Sequence, residues 1–271
     1  MRSLILSLMI FMAAQSASAD TLCAQTQGWW WTTVITCEHN RVTISVAADD
    51  YRDVLYQVPD GDAPEGGWPV VFIYQGSYIP VQFSGRSGQA WGGYHQIRLI
   101  RELLDNGFAV IAPEAVDQTF WDTNTARGRV YEDSADYSYL SMLFDIVSAG
   151  GFGHLNAERM YATGISSGGY NTSRMAVSFP GRFRALAIQS GSYATCAGAF
   201  CSVPEMMPED HPPTLFLHGS KDRIVPEWTM TRYLDRLYQA GVPVYVVTDE
   251  VGHEWLESAP DEILNWFLAN P

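Results

Sequence analysis

Short apolar runs alternate along the chain with longer segments in which apolar residues recur every three or four positions. Short continuous apolar runs are typical of strands that are buried on both faces of a sheet. Such runs occur at residues 69–74, 108–112, 159–163, 184–189, 214–217 and 244–248. Two earlier runs, 42–47 and 54–58, alternate between apolar and polar residues, which predicts an antiparallel hairpin or meander ahead of the buried strands.

Amphipathic segments fall between these predicted strands and after the last one. Ile97, Ile100 and Leu104 would share one face of a helix whose other face is charged. Comparable apolar stripes at residues 140–147, 170–179, 234–237 and 263–268 predict further helices. Because strands and helices alternate through most of the chain, the pattern predicts an α/β fold in which a mostly parallel sheet is covered by helices on both faces.

The start of the chain has the pattern of a secretory signal. Arg2 supplies a positive charge, residues 4–14 form an apolar core too short to span a bilayer, and residues 17–19 fit a small-residue cleavage site. We therefore expect residues 1–19 to be removed and the mature protein to be secreted. Residues 20–271 contain no Pro/Ser-rich linker, charge block or repeat, which predicts a single domain.

The net charge and the cysteines limit which partners the protein can bind and in which cellular compartment it can fold. The formal net charge of -14 opposes binding to nucleic acid or to anionic membranes. Four cysteines in an exported chain indicate two disulfides, for which three connectivities are possible. Proximity in the sequence favours Cys23 with Cys37 and Cys196 with Cys201. Neither pair has C-x-x-C spacing, so we expect no metal site, and no motif predicts a cofactor.

Residues 164–168 carry the most informative chemical motif. Gly-Ile-Ser-Ser-Gly matches the G-x-S-x-G pattern, in which a serine stands on a tight turn between a strand and a helix. An ordinary turn is the alternative for the pattern alone, but here a predicted strand precedes it and a predicted helix follows it. Ser166 is the predicted nucleophile, because only Ser166 has glycine two residues to either side. Ser167 is then expected to contribute its backbone N–H to an oxyanion hole.

A serine nucleophile needs a base and an acid, which follow it in the order acid, then histidine, in this strand and helix context. His253 comes after the last predicted strand and is the predicted base, whereas His218 is expected to be a structural turn residue. Asp222 lies in the loop that leaves the strand before it and is the predicted acid. Glu227 is the competitor, although it fits better in the first turn of a helix.

The loop after the strand 69–74 is expected to hold the second oxyanion donor. We prefer Ser77 to Gly76 for this role, and a plain turn is the alternative. Large side chains in the loops around the site predict a substrate-binding surface, with some of them expected to cover the core instead. The residues chosen for this surface are Tyr78, Ile79, Trp121 and Trp255.

Trp29, Trp30 and Trp31 form an aromatic run between the first two cysteines. Such a run fits either a strand that fills a core or an exposed surface that grips a polymer. We expect the core role, because aromatic runs are more often strand residues.

Four segments together resemble a known enzyme family. They are GISSGGYNTSRM at 164–175, QSGSYATC at 189–196, HPPTLFLHG at 211–219 and GHEW at 252–255. With them the chain resembles an α/β hydrolase, and in particular the extracellular polyhydroxyalkanoate depolymerases of the medium-chain-length type. The resemblance implies that Ser166, Asp222 and His253 form a catalytic triad, and that 20–271 is one compact catalytic domain without a separate substrate-binding domain.

The resemblance implies a secreted serine esterase that hydrolyses a water-insoluble polyester through an acyl-enzyme intermediate. Its partners would be the polymer surface and its oligomers, with no nucleic acid and no membrane. An exported feruloyl or acetyl-xylan esterase is the alternative among enzymes, because it shares the fold and the triad. A polymer-binding protein with an inactive serine site is the alternative outside the enzymes.

Overall fold

The structure, a computed structural model, describes residues 22–124 and 130–271, so the predicted signal at 1–19 lies outside the described part. Two sheets organise it, one of eight strands and one of three. The strands are β1 (Cys23–Gln27), β2 (Thr33–Cys37), β3 (Asn40–Ala47), β4 (Asp50–Gln57), β5 (Trp68–Tyr74), β6 (Ser84–Arg86), β7 (Ala109–Pro113), β8 (Leu155–Ile165), β9 (Phe183–Gln189), β10 (Thr214–Gly219) and β11 (Val244–Asp249).

The large sheet has the strand order β11-β10-β9-β8-β5-β7-β4-β3. Strands β11 to β7 in that order are all parallel, whereas β4 and β3 join one edge as the antiparallel hairpin predicted from their alternating pattern. The predicted fold class is therefore confirmed. Parallel strands bring their carboxyl ends to one edge, so the loops after β5, β8, β10 and β11 meet there.

Helices cover both faces of this sheet. They are α1 (Gly93–Asp105), α2 (Ala135–Ser148), α3 (Ser167–Ser178), α4 (Glu227–Gln239) and α5 (Ala259–Ala269). Side chains of β5 alternate between the two faces. Val71 and Ile73 pack in the core that α1 and α5 cover, and Val70 and Phe72 pack in the core that α2 and α3 cover. This double burial explains the continuous apolar run of β5.

The small sheet holds β1, β2 and β6 in antiparallel order at the side of the domain. Ile35 of β2 is fully buried in the core beside Ile97 of α1, whereas β1 is exposed after Cys23. The run Trp29–Trp31 forms the turn between β1 and β2 and is exposed. The predicted core role for this run is wrong, because the three residues lie in a surface turn and belong to no core cluster of the described residues.

Candidate active site

Ser166 stands at the junction of β8 and α3 with φ 56° and ψ -119°. Residues other than glycine rarely adopt this backbone conformation, because it brings the side chain too close to the backbone. The resulting strain persists only where the surrounding structure enforces it. The neighbouring glycines supply that constraint. A Cβ on either Gly164 or Gly168 would overlap the backbone of Tyr74 in β5. The close approach of strand and helix therefore requires both glycines, and it presents the Ser166 side chain at the sheet edge.

His253 and Asp222 come together in the loops after β11 and β10. The Nδ1–H of His253 donates to Asp222 Oδ2 at 2.7 Å, while Asp222 Oδ1 accepts from the backbone N–H groups of Ile224 at 2.8 Å and Val225 at 2.9 Å. A proton held on Nδ1 leaves Nε2 free to act as a base. The arrangement fixes the imidazole in the tautomer that a serine nucleophile needs.

The carboxylate of Asp222 is kept in its charged form. Burial raises its pKa, but the hydrogen bonds from His253 and from the backbone N–H groups of Val225 and Ile224 outweigh burial and hold the pKa of Asp222 below its usual range. Asp222 is therefore ionised at neutral pH and able to stabilise a protonated His253.

Ser166 and His253 line one pocket of about 200 Å³. Within residues 22–124 and 130–271, no hydrogen bond joins the Ser166 hydroxyl to His253. Such bonds are often long in unliganded sites and tighten when substrate binds. The walls of the pocket are mainly apolar, formed by Ile79, Pro80, Trp91, Ile165, Ile224 and Trp255. The pocket combines a serine, a histidine and an apolar wall, which suits an ester with an aliphatic chain.

The predicted oxyanion donors lie on two sides of Ser166. Ser167 opens α3, and Ser77 lies in the turn closed by the bond from Ile79 N to Gly76 O. A Cβ placed on Gly76 would be 3.8 Å from the Ser166 Cβ, so this turn adjoins the elbow. The N–H of Tyr78 is already bonded to Thr119 O at 2.6 Å. Ser77 lines the pocket and stays the predicted second donor.

Trp121 joins the two segments that hold these donors. Its backbone N–H donates to Ser167 Oγ at 2.9 Å and its indole Nε1–H donates to Gln75 O at 3.2 Å. The predicted place of Trp121 on an exposed substrate surface is wrong, because the side chain is fully buried with its ring edge-to-face on Tyr74. Trp121 therefore positions the site from below and does not line the pocket wall.

The segment around Trp121 is anchored in the core. The N–H of Asp122 donates to Asp136 Oδ2 at 2.6 Å, and Asp136 forms a buried ion pair with Arg52. Gln75 is held as firmly, because its Oε1 accepts from Ala115 N at 3.0 Å. These buried polar contacts hold the loop after β7 and the loop after β5 in one arrangement.

The other predicted substrate residues differ in exposure. Tyr78 and Ile79 are 70% and 41% exposed at the rim, as the surface prediction requires. Trp255 is only 2% exposed and so does not belong to an open surface, but it lines the pocket and stays a predicted substrate-binding residue. Its N–H is bonded to Trp91 O, which draws Trp255 inward.

Residues that the sequence reasoning missed support the His253 loop. Gln189 at the end of β9 donates from Nε2 to Glu254 O at 2.8 Å and accepts from Leu256 N at 3.3 Å. Trp91 places its ring edge-to-face against His253, with centroids 6.1 Å apart. A polar residue at the end of a buried strand was the available signal for Gln189. No sequence pattern around Trp91 indicated a role at the site, because its contact with His253 forms between segments that are distant in the sequence.

The competing residues lie outside the candidate triad. His218 is buried with its Nε2 2.9 Å from Val225 O, and burial lowers the pKa of His218, so it is a neutral structural residue. Glu227 lies in the first turn of α4, as expected. The cysteines form the two disulfides that sequence proximity favours, Cys23 with Cys37 and Cys196 with Cys201.

Comparison with known proteins identifies the family. No protein-family model matches the chain. A poly(3-hydroxyoctanoate) depolymerase of Pseudomonas fluorescens is 51% identical over 240 residues, which cover 88% of this chain and 86% of that protein.

Solved structures share the fold at lower identity. An acetyl xylan esterase from Aspergillus awamori has a TM-score of 0.61 at 18% identity and covers 84% of this chain and 98% of that one. An S-formylglutathione hydrolase from Staphylococcus aureus has a TM-score of 0.59 at 15% identity, with 85% and 98% covered. Since 51% of 240 aligned residues are identical to those of the Pseudomonas protein, over most of both lengths, the chain belongs to the poly(3-hydroxyoctanoate) depolymerase family.

Proposed function

We propose that the protein is an exported serine esterase that hydrolyses the ester bonds of a water-insoluble poly(3-hydroxyalkanoate), with medium-length side chains as the preferred monomers. The observation that carries the substrate class is the 51% identity to a poly(3-hydroxyoctanoate) depolymerase. The pair of disulfides supports export, because such bonds persist in oxidising compartments.

The candidate triad supplies the chemistry. His253 Nε2 takes the proton of Ser166 Oγ as the oxygen attacks the ester carbonyl, and Asp222 stabilises the imidazolium that forms. The backbone N–H groups of Ser77 and Ser167 donate to the oxyanion. The imidazolium then protonates the departing alcohol oxygen, which leaves an acyl group on Ser166. Water, deprotonated by His253, releases the acid and regenerates the serine.

The apolar pocket wall supports an aliphatic substrate. Trp91, Ile224 and Trp255 offer surface for an alkyl side chain, and burial of each methylene contributes about 0.8 kcal/mol. A longer side chain therefore binds more tightly until the pocket is filled.

The test compares two substrates under the same conditions. Clearing of an emulsified medium-chain polyhydroxyalkanoate film is measured against release of a hydroxycinnamate from a soluble ester. We expect film clearing by the wild type and no clearing by Ser166→Ala. Hydroxycinnamate release without film clearing would replace the proposal with a carbohydrate esterase. A wild-type protein that resists labelling by a fluorophosphonate would exclude a working serine nucleophile.

A further inference from the structure

The turn between β1 and β2 exposes three adjacent indole rings. Trp29, Trp30 and Trp31 are 84%, 85% and 94% exposed. Large aromatic side chains are normally buried in part, and a contiguous exposed apolar patch marks an interaction surface. Within the described residues, no packing contact explains why three tryptophans stand at this turn. We therefore look for their role in an interaction with another surface.

The backbone of this turn does not favour tryptophan either. Trp30 and Trp31 occupy the two central positions of a hairpin turn closed by the bond from Thr32 N to Trp29 O at 3.3 Å. Their φ angles are 56° and 63°, and a hairpin turn with two positive φ angles favours Asn-Gly. Strain at such a place is a reason to look for a function.

The turn rests on a rigid base. The disulfide Cys23–Cys37 joins β1 to β2 at the end of the hairpin away from the turn, and Ile35 anchors β2 in the core. The backbone that carries the three rings is therefore held in a defined place. Rigid aromatic side chains give contact area at a small entropic cost.

The base of the turn is bonded to the segment that leads into the pocket. Ser87 N donates to Thr33 O at 2.8 Å, and Thr33 N donates to Ser87 Oγ at 3.0 Å. Two residues beyond Ser87 the chain reaches Gln89, and then Trp91, both of which line the pocket. Exposed apolar side chains also line the pocket, at Ile79, Trp91 and Ile224, and Tyr78 is exposed next to Ile79.

The hairpin is free of charge in an acidic protein. Residues 23–37 contain no Asp, Glu, Lys, Arg or His, although the whole chain has a formal net charge of -14. Arg86 on β6 is a charged neighbour across the ladder. A charge-free aromatic turn suits an uncharged apolar surface, whereas an ionic partner would call for charged groups.

We propose that Trp29, Trp30 and Trp31 form an adsorption turn that docks the enzyme on the surface of the solid polyester beside the pocket mouth. The inference rests on the proposed function and assigns its surface contact. An ester bond in a solid cannot diffuse to the enzyme, so the enzyme must hold itself on the solid. Burying three indole rings against the polymer removes apolar surface from water and supplies that attachment.

The test uses a variant that the turn itself should tolerate. Trp29→Ser, Trp30→Asn and Trp31→Gly are combined, because Asn-Gly fits the two central positions. We expect binding to polyhydroxyoctanoate granules and film clearing to fall at least about tenfold. Hydrolysis of a soluble p-nitrophenyl ester should stay within about twofold of the wild type, because the turn does not line the pocket. The melting temperature should not fall.

A matched control replaces three exposed aromatic side chains elsewhere, Trp228, Tyr238 and Tyr245, with serine. This control should bind granules as the wild type does. Unchanged granule binding in the turn variant overturns the proposal, and so does an equal loss of soluble ester hydrolysis. A wild-type dimer that the turn variant abolishes, with granule binding intact, would assign the turn to a second copy instead. If the wild type itself clears no polyester, the proposed function fails, which is a distinct outcome.

Discussion

The nucleophile elbow and the tryptophan turn both hold non-glycine residues at positive φ, but their surroundings are opposite. Ser166 lies between a buried strand and a buried helix, where glycines at 164 and 168 let the backbone of Tyr74 approach. Trp30 and Trp31 lie at the tip of an edge hairpin with their rings in water. The first conformation is enforced by packing on every side, and the second is closed by a few turn hydrogen bonds.

This difference indicates what each residue in a strained conformation contributes to function. At the elbow, the packed interior holds the half-buried hydroxyl of Ser166 at the pocket, where it can take part in chemistry. At the turn, neither burial nor turn preference accounts for the side chains, so the gain must come from a surface outside the protein. Substitutions at the elbow should therefore abolish hydrolysis of every ester, while substitutions at the turn should affect only solid substrates.

The largest effect is expected from removing the nucleophile. Ser166→Ala should lower kcat for a soluble p-nitrophenyl ester by about 10⁴-fold or more, because no other side chain can form the acyl-enzyme. Granule binding should be unchanged. Ser220→Ala, at an exposed serine after β10, is the matched control. Turnover by Ser166→Ala near the wild-type rate would assign the chemistry to another residue.

Loss of the acid should have a nearly equal effect. Asp222→Asn is expected to lower kcat by about 10⁴-fold, since an amide favours the wrong His253 tautomer. The double variant Asp222→Asn, His253→Ala should lose little more than either single variant, because members of one catalytic unit are non-additive. Losses that multiply would contradict a shared unit.

Asp222 also makes the stability of the fold depend on pH. The pKa of Asp222 is lower in the folded protein than in the unfolded chain, so its charged form stabilises the fold at pH values above the usual carboxyl pKa of about 4. That contribution is lost as pH falls through the lowered folded pKa. Asp222→Asn should therefore destabilise the protein at pH 7 and differ less from the wild type in acid, as measured by urea unfolding at both pH values.

A smaller loss of activity is expected from changing Trp121, which joins the two segments that hold the predicted oxyanion donors. Trp121→Phe keeps a buried ring but removes the indole N–H that bonds to Gln75 O. The loop after β5 is then less well positioned, and kcat should fall by about 10-fold to 100-fold with little change in KM. Trp121 is a positioning residue here, so its loss should appear on soluble esters and films alike. A purely structural role would lower the melting temperature and leave kcat unchanged.

Removal of the hairpin disulfide should affect binding to the solid polymer more than it affects ester hydrolysis. Replacing Cys23 and Cys37 with serine should destabilise the domain by about 3 kcal/mol, the value typical of a loop near this length. Film clearing should fall more than soluble ester hydrolysis, because the base of the turn loosens while the elbow does not. Equal losses on both substrates would show that the disulfide supports the pocket as well.

The smallest effect concerns the turn backbone. Trp30→Asn with Trp31→Gly should raise the melting temperature by a few degrees, because asparagine and glycine are tolerated in the left-handed region, where most other residues cost roughly 1–2 kcal/mol. Ser166→Gly is the comparison at the elbow, where the same relief of strain should also stabilise the protein but abolish hydrolysis. A lower melting temperature in the turn variant would show that the indole rings contribute to folding.

The fold class and the order of the candidate triad could be predicted from the sequence because both depend on local patterns. The apolar run of β5 identifies a strand buried on two faces, and glycine on each side of Ser166 identifies a tight turn. Asp222 and His253 follow successive strands, and parallel strands must bring those loops to one edge.

Only the tertiary structure decided which large side chains are exposed and which fill the core. Trp121 and Trp29 have similar apolar surface, yet one is fully buried beneath the elbow and the other is 84% exposed. Residue type and spacing do not distinguish them, because burial depends on which distant segments pack against each side chain. The Trp121 ring packs in the core against Tyr74, whereas Trp29 lies in a turn at the surface and belongs to no core cluster of the described residues.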